Sequence, residues 1–369
     1  MTKNKVSIGI VGSSWWVDSM YLPALETHPN AKVVAICGRR PQPAQKLAET
    51  WDVAQVFTDF DTMLAEAELD ALIITSPNDT HYAYAMKGLG AGLHVLCEKP
   101  LALGYAHAKE MSDLAEAEGL TTMTPFTYSY MPTAQYLKQL IDMGYLGTPY
   151  HLNLRYYTGY GRDSDYSWRF DKAIAGSGAL GDIASHFLYL AYWFYGEIEG
   201  VFANLATHIK RPDAKPDGTA YDVADDNAII TFRFKNGALG TVQASTVAYE
   251  DTHFGQIHRM ELHGSSGTLH SFTDWNTVQE VRGAKVGEGP VKRLEIPETI
   301  WQGARRDTVH NTYKDVFRTQ ETMARAFVTA VANGETVSPS FKEGAYIQRM
   351  LEAALLSHRE RKWIDLETL

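Results

Sequence analysis

Asp182 and His186 stand four residues apart at the start of a helix-like segment, Asp182 to Tyr195, so their side chains share one face. A carboxylate beside an imidazole suits proton transfer near neutral pH: the imidazole exchanges the proton, and the carboxylate orients it or holds a substrate. The competing reading is a satisfied core histidine on an apolar helix. Gly176, Gly178 and Gly181, just ahead of the pair, favour the close approach of a substrate to the backbone. A second group is Glu98-Lys99-Pro100, which follows the apolar run His94 to Cys97 at the carboxyl end of a predicted strand, where open α/β sheets place their ligands. An ammonium there could hydrogen-bond a substrate hydroxyl and favour a developing alkoxide; otherwise the tripeptide is an exposed charged turn.

Gly12-Ser13-Ser14-Trp15-Trp16-Val17 ends the first strand-like run where a dinucleotide-binding fold has its G-x-G-x-x-G/A turn. Only the first glycine is present, with Ser14 at the second position and Val17 at the third. A small serine still lets backbone approach a pyrophosphate, and the following helix N-terminus favours an anion. Trp15 and Trp16 read as packing residues, with one indole able to cover a cofactor. The second strand ends in Cys37-Gly38-Arg39-Arg40, with no acid between Lys32 and Arg40 to hold a ribose 2′-hydroxyl. Arg39 and Arg40 stand where a 2′-phosphate would sit, which favours NADP over NAD unless both are solvated charges at a helix entrance.

Other chemistries lack support. Among 13 histidines there is no H-E-x-x-H, and no C-x-x-C occurs. His258 and His263 lie five apart on an apparent strand and face opposite sides. No metal is expected. A G-x-S-x-G elbow is also missing.

The elements that must position these residues change character along the chain. Apolar runs at Val6–Val11, Lys32–Cys37, Ala71–Thr75 and His94–Cys97 alternate with helix-like segments Pro43–Trp51, Thr80–Gly90 and Gly104–Gly119. That βαβα pattern predicts a doubly wound parallel sheet, completed by Leu120–Pro125. After Phe126 come a helix at Thr133–Met143, a strand at Tyr150–Tyr157, and long alternating runs from Val201 to Ile296. Asn236-Gly237 between two of those runs signals a hairpin. Two helices, Asp315–Asn333 and Lys342–Arg361, are expected last. The fold class is therefore α/β, with a Rossmann-type domain at 1–125 and an α+β domain at 126–369 built on a large, open, mostly antiparallel sheet.

Composition agrees. At 369 residues and about 150 per domain, two domains are expected. Hydrophobic residues make up 45% and charged residues 21%, so the chain can build large cores. A net charge of -10 is the wrong sign for nucleic acid as main ligand. The longest apolar stretch, Phe187–Tyr195, falls far short of the ~20 residues of a bilayer span, and Met1–Lys5 runs directly into a strand. Cys37 and Cys97 each close an apolar run and read as buried small hydrophobes, which fits a reducing cytoplasm. An open sheet with an exposed face points to a homo-oligomer.

Together these residues resemble the Gfo/Idh/MocA family of sugar and polyol oxidoreductases. The resemblance covers essentially the whole chain. It is carried by Glu98-Lys99-Pro100, by the glycine-rich D-x-x-x-H stretch Gly176 to His186, and by Pro77-Asn78-Asp79-Thr80-His81, similar to the family's loop after the fourth strand. It implies hydride transfer between a carbinol carbon and a nicotinamide, and an open sheet that commonly forms the subunit interface of a homodimer or homotetramer. Carried over residue by residue, Lys99 polarises the reacting hydroxyl, His186 is the general acid/base, and Asp182 binds substrate and supports His186. Trp168-Arg169 resembles a W-R pair that makes Arg169 a second substrate-binding candidate. Ser76, Pro77, Asn78, His81, Glu98 and Lys99 join Gly12 to Trp16 and Arg39-Arg40 as cofactor-binding candidates.

Two departures stand out: the incomplete glycine turn, and Tyr189 where many members carry an aspartate. The family's strand order 3-2-1-4-5 also sets Cys37 and Cys97 three strand spacings apart, roughly 14 Å and beyond disulfide reach. The substrate is expected to be a sugar, anhydrosugar, glycoside or polyol. Two other readings remain open at this point: a redox-neutral glycosidase or epimerase that recycles a bound cofactor, and a non-catalytic sugar or cofactor sensor. Tyr128, Tyr130, Tyr157, Tyr160 and Trp168 could stack on a sugar but are left as packing residues.

Overall fold

The structure is a computed structural model that describes residues 5–249 and 255–369; Met1–Asn4, where the chain was expected to run into its first strand, lie outside the described residues. The first six strands are β1 (Val6–Val11), β2 (Ala31–Cys37), β3 (Gln55–Phe57), β4 (Ala71–Ile74), β5 (His94–Cys97) and β6 (Thr122–Met123). All pair in parallel, in the order β3-β2-β1-β4-β5-β6. The apolar runs of β1, β4 and β5 are buried on both faces, as a sheet covered by helices on each side requires. Helices at Pro41–Thr50, His81–Gly90 and Tyr105–Ala117 supply the crossovers within one residue or so of the expected segments at most ends. Cys37 and Cys97 end β2 and β5, three spacings apart in the observed order, and both thiols are free and buried. Burial lifts the Cys37 thiol to about 11, which makes it inert at neutral pH.

The second sheet holds β7 (Pro149–Tyr157), β8 (Ile198–Ala206), β9 (Asn227–Phe234), β10 (Leu239–Ser245), β11 (Ile257–Gly264), β12 (Gly267–Asp274), β13 (Val278–Lys285), β14 (Lys292–Leu294) and β15 (Ile364–Asp365). Its order is β14-β13-β12-β11-β7-β10-β9-β8-β15, antiparallel except for the parallel β7–β10 pair. Gly237, at φ +88, forms the β9–β10 hairpin with Asn236, whose side chain accepts from Ala238 N. Burial alternates along β7, β9 and β12, so one face is core and the other open. Ile229 (49% exposed) and Leu239 (54%) lie on neighbouring strands of the open face.

The chain divides into two compact units, but not into two continuous pieces. Lys314–Gln348 groups with the residues up to Pro125, and Phe126–Tyr313 groups with Arg349–Leu369. The sequence reading runs one domain over 1–125 and a continuous second one over 126–369; by packing, Lys314–Gln348 lies with the first unit. Phe341 and Ala345 enter the same core as Leu72, Val95 and Leu101. Thr124 N donates to Pro339 O, and Thr121 Oγ1 donates to Glu335 O. The expected single helix over 315–333 is also two helices, Val309–Thr319 and Met323–Asn333. Thr322 breaks it in extended conformation, its hydroxyl donating to Val316 O.

One buried imidazole sets an acid sensitivity. His258, on β11, is 4% exposed, and burial drives it from its ordinary 6.5 down to about 3. Below about 6.5 the unfolded chain binds a proton that the folded chain refuses. The stability this neutral group allows is complete above that value and is lost as pH falls toward 3. The unfolding free energy of wild type is therefore expected to fall more steeply between pH 7 and 4 than that of His258→Gln. Chemical denaturation across that range checks this; parallel curves for the two proteins would refute it.

Candidate active site

In the first unit, Gly12 sits at φ +123, and a Cβ there would come within 2.4 Å of Thr75 Oγ1 and 3.0 Å of the Thr75 backbone. Both the backbone angle and the space demand glycine. The turn then enters a wide helical turn, Val17–Tyr21, with Val17 N and Asp18 N bonded to Ser14 O. Val17 is fully buried, so this position anchors the turn through packing where a third glycine would have allowed close helix–strand contact. Arg318 Nε donates to Ser19 O, and Arg325 Nη1 donates to Ala24 O, bracing the segment from outside. Ser13 packs against Gly38 at the end of β2. The cradle at Gly12 and the carboxyl ends of β1 and β4 fit a dinucleotide; Ser14 and Val17 give it a different lining from the usual glycines.

The two tryptophans part company. Trp15 is 72% exposed and is not a packing residue. Trp16 Nε1 donates to Glu98 Oε1 at 2.7 Å, and Tyr21 OH donates to the same oxygen at 2.7 Å. The glycine turn is thus tied to the Glu98-Lys99-Pro100 loop. Desolvation lifts the Glu98 carboxyl above its ordinary range, opposed by Tyr21, the Lys99 charge and Trp16. Arg39 and Arg40 are exposed after β2. In the loop after β4, Ser76 Oγ and Thr80 Oγ1 lie 2.6 Å apart, and Asn78 is buried. His81, 1% exposed, has Nδ1 2.9 Å from Pro100 O and Nε2 2.9 Å from Ser76 O. The neutral ring has a single N–H and donates it to one of these two carbonyls, so His81 braces the backbone of the loop proposed to hold the cofactor. Burial, aided by Lys99, holds this imidazole below its ordinary value.

In the second unit, the expected helix from Asp182 opens as a wide turn, Leu180–Ala184, before the α-helix Ser185–Tyr195. Such i→i+5 turns recur at functional sites and still place residues four apart on successive turns. Ser185 Oγ donates to Gly181 O within it. The glycines have a concrete use: a Cβ on Gly178 would lie 1.7 Å from Asp225 O. Asp225 accepts from Gly178 N and Leu180 N, each at 2.8 Å, which fixes the approach to Asp182.

Asp182 Oδ2 receives Tyr160 OH at 2.5 Å and lies 3.4 Å from Arg169 Nε. Arg169 stacks on Trp168 at 4.7 Å, so the Trp168-Arg169 pair acts as a unit. Tyr160 is 43% exposed, yet desolvation of its hydroxyl and the adjacent Asp182 charge hold the phenol protonated far above its ordinary value. His186 is 6% exposed, edge-on to Tyr128 at 4.8 Å and to Phe126 at 6.2 Å. Tyr128 is itself fixed by Tyr156 OH at 2.7 Å and Gln256 Nε2 at 3.0 Å. Tyr189, in the position of the missing aspartate, stacks on Phe126 at 4.6 Å. No group of three or more metal-ligating side chains occurs among the described residues.

Tyr160 is the residue that sequence reasoning set aside. It is 22 positions from Asp182, and only its aromatic character marked it. The remaining stacking candidates are Tyr128, Tyr130, Tyr157 and Trp168. Tyr128 proves to be a wall for His186, and Tyr157 donates to Gln243 on the open sheet face.

The chain matches the oxidoreductase family with an NAD-binding Rossmann fold over residues 6–126, and the GFO/IDH/MocA C-terminal domain over residues 134–270. The chain belongs to the Gfo/Idh/MocA oxidoreductase family. Levoglucosan dehydrogenase of Pseudarthrobacter phenanthrenivorans is 29% identical over 366 residues, covering 93% of this chain and 90% of its own. Glucose-6-phosphate 3-dehydrogenase of Bacillus subtilis is 27% identical over 356 residues, covering 94% of each. Among solved structures, levoglucosan dehydrogenase in complex with NADH and levoglucosan matches with a TM-score of 0.85 at 25% identity, over 98% of this chain and 99% of that one. As a Gfo/Idh/MocA member this chain is an NAD-binding oxidoreductase. No helix among the described residues is long and apolar enough to cross a membrane.

Proposed function

We propose that this Gfo/Idh/MocA protein is a dehydrogenase of a pyranose-type carbohydrate, an anhydrosugar, glycoside or sugar phosphate before a simple polyol. The observation that carries this is the Tyr160–Asp182–Arg169 cluster one turn ahead of His186. A carboxylate flanked by a phenol and a guanidinium offers acceptor and donors together, the combination that a vicinal diol requires. The named activities of the relatives, on levoglucosan and at position 3 of glucose 6-phosphate, fit the same substrate class.

In this reading His186 exchanges the proton of the reacting hydroxyl, Asp182 holds a neighbouring hydroxyl, and Lys99 favours the alkoxide form. Arg169 and Tyr160 help hold the sugar. The nicotinamide, when bound, supplies the hydride acceptor or donor. Gly12, Ser13 and Ser14 would face its pyrophosphate, with Trp15 beside them. The loop Ser76, Pro77 and Asn78, braced by His81, and the Glu98–Lys99 backbone would hold its nicotinamide half. Arg39 and Arg40, with no acid before them on β2, favour NADP over NAD.

The test is fluorescence titration with NADPH and NADH, then a carbohydrate panel at saturating cofactor followed at the nicotinamide absorbance. Tighter NADPH binding and turnover of a pyranose are expected. NADH binding as tightly as NADPH overturns the cofactor preference, and turnover of none of the sugars overturns the substrate class. The open face of the second sheet, with Ile229 and Leu239 exposed, supports a homodimer or homotetramer, which light scattering of the purified protein checks, and the two free, buried cysteines fit a reducing cytoplasm.

A further inference from the structure

Residues 207–226, the excursion between β8 and β9, carry no motif, yet they are bonded to both segments that bear the substrate groups. Asp225, near their end, holds the glycine-rich stretch before Asp182. Asp226 Oδ2 accepts from His208 N at 2.8 Å and Ile209 N at 2.9 Å, which fixes the start of the excursion. Arg211 follows, only 5% exposed. Its Nη1 donates to Asp163 O at 2.7 Å, its Nη2 donates to Gly161 O at 2.8 Å, and its guanidinium carbon lies 3.6 Å from the Phe170 ring centroid. Gly161 adjoins Tyr160 and Phe170 adjoins Arg169, so one buried cation grips the loop beside both partners of Asp182.

We propose that Arg211 is the positioning residue of the substrate site: it staples the loop 159–171 so that Tyr160 and Arg169 meet Asp182 in the geometry that receives a carbohydrate hydroxyl. The loop consists of short single turns, with Asp163, Ser164 and Asp165 exposed; backbone bonds tie its ends, Gly161 N to Thr246 O and Ala224 N to Phe170 O beside the Asp171–Val223 bridge, and Arg211 grips the stretch between them. A planar fork of donors can bond two separate carbonyls while lying flat on an aromatic ring; a lysine ammonium cannot do both. The proposal rests on the substrate reading given above, since it assigns Arg211 its purpose through Tyr160, Arg169 and Asp182.

Hydrogen exchange and steady-state kinetics of the full chain bearing Arg211→Met or Arg211→Lys test it. Amides of residues 159–171 are expected to exchange about tenfold faster or more, and the carbohydrate KM to rise about tenfold or more, with the dinucleotide Kd unchanged. Arg211→Lys gives the same signs, and decides the matter should Arg211→Met fail to fold. Unchanged exchange in the loop overturns the staple. A loosened loop with substrate KM and kcat within about twofold of wild type overturns its link to recognition. A dinucleotide Kd that rises in step with loop exchange overturns it as well, in favour of general destabilisation. Failure of the substrate reading shows separately, as a wild-type protein that turns over no sugar in the panel, and the exchange experiment still decides the staple.

Discussion

Replacing His186 by alanine is expected to lower kcat by about 10²- to 10⁴-fold, the range of a positioned general acid/base. The imidazole is nearly enclosed between Phe126 and Tyr128 at the start of the helix Ser185–Tyr195. His186→Asn keeps more of that volume while removing the proton exchange, so both variants should lose turnover together, with dinucleotide affinity intact. Steady-state assays on the substrate found in the carbohydrate panel, with the dinucleotide titration as a control for folding, give the answer. Full turnover in both variants would show that another group moves the proton.

The second large effect is expected at Lys99. Lys99→Met preserves most of the aliphatic stem and deletes the ammonium; a loss of about 10²- to 10³-fold in kcat is expected, comparable to the removal of one electrostatic donor from a developing oxyanion. Arg at this position should recover little, because a planar fork cannot replace a compact charge. Lys99 leaves the end of β5 beside Glu98, whose carboxylate is held by Trp16 and Tyr21, so its backbone is fixed independently of its charge. A variant that raises KM alone and leaves kcat untouched would assign Lys99 to binding and contradict the proposed role.

The parallel sheet could be read from the chain because strands buried on both faces leave continuous apolar runs, and β1, β4 and β5 are such runs. β3, with three residues and little burial, leaves none and passed unnoticed. The break before Met323 was hidden for a different reason: Gln320-Glu321-Thr322 contains neither glycine nor proline, and Met323 takes φ +44 without glycine's freedom. Phe341 announced itself as apolar but carried no sign of which core it would enter.

In the site, Asp182 and His186 were visible because local spacing in a helix is itself geometry. Tyr160 to Asp182, Trp16 to Glu98 and Arg211 to Gly161 span 22, 82 and 50 residues, distances over which spacing says nothing. Those partnerships arise from the path of the chain between elements.

The return of Lys314–Gln348 to the first unit bears on how the chain matures at the ribosome. An emerging segment of 125 residues holds every strand of the parallel sheet but lacks Phe341 and Ala345 from its interior. The nucleotide half must wait, incompletely filled, while more than two hundred further residues are translated, and the other half closes later still with Arg349–Leu369, so neither is finished until the last stretch of chain has emerged. Gene fragments cut at position 125 would inherit that unfinished interior permanently.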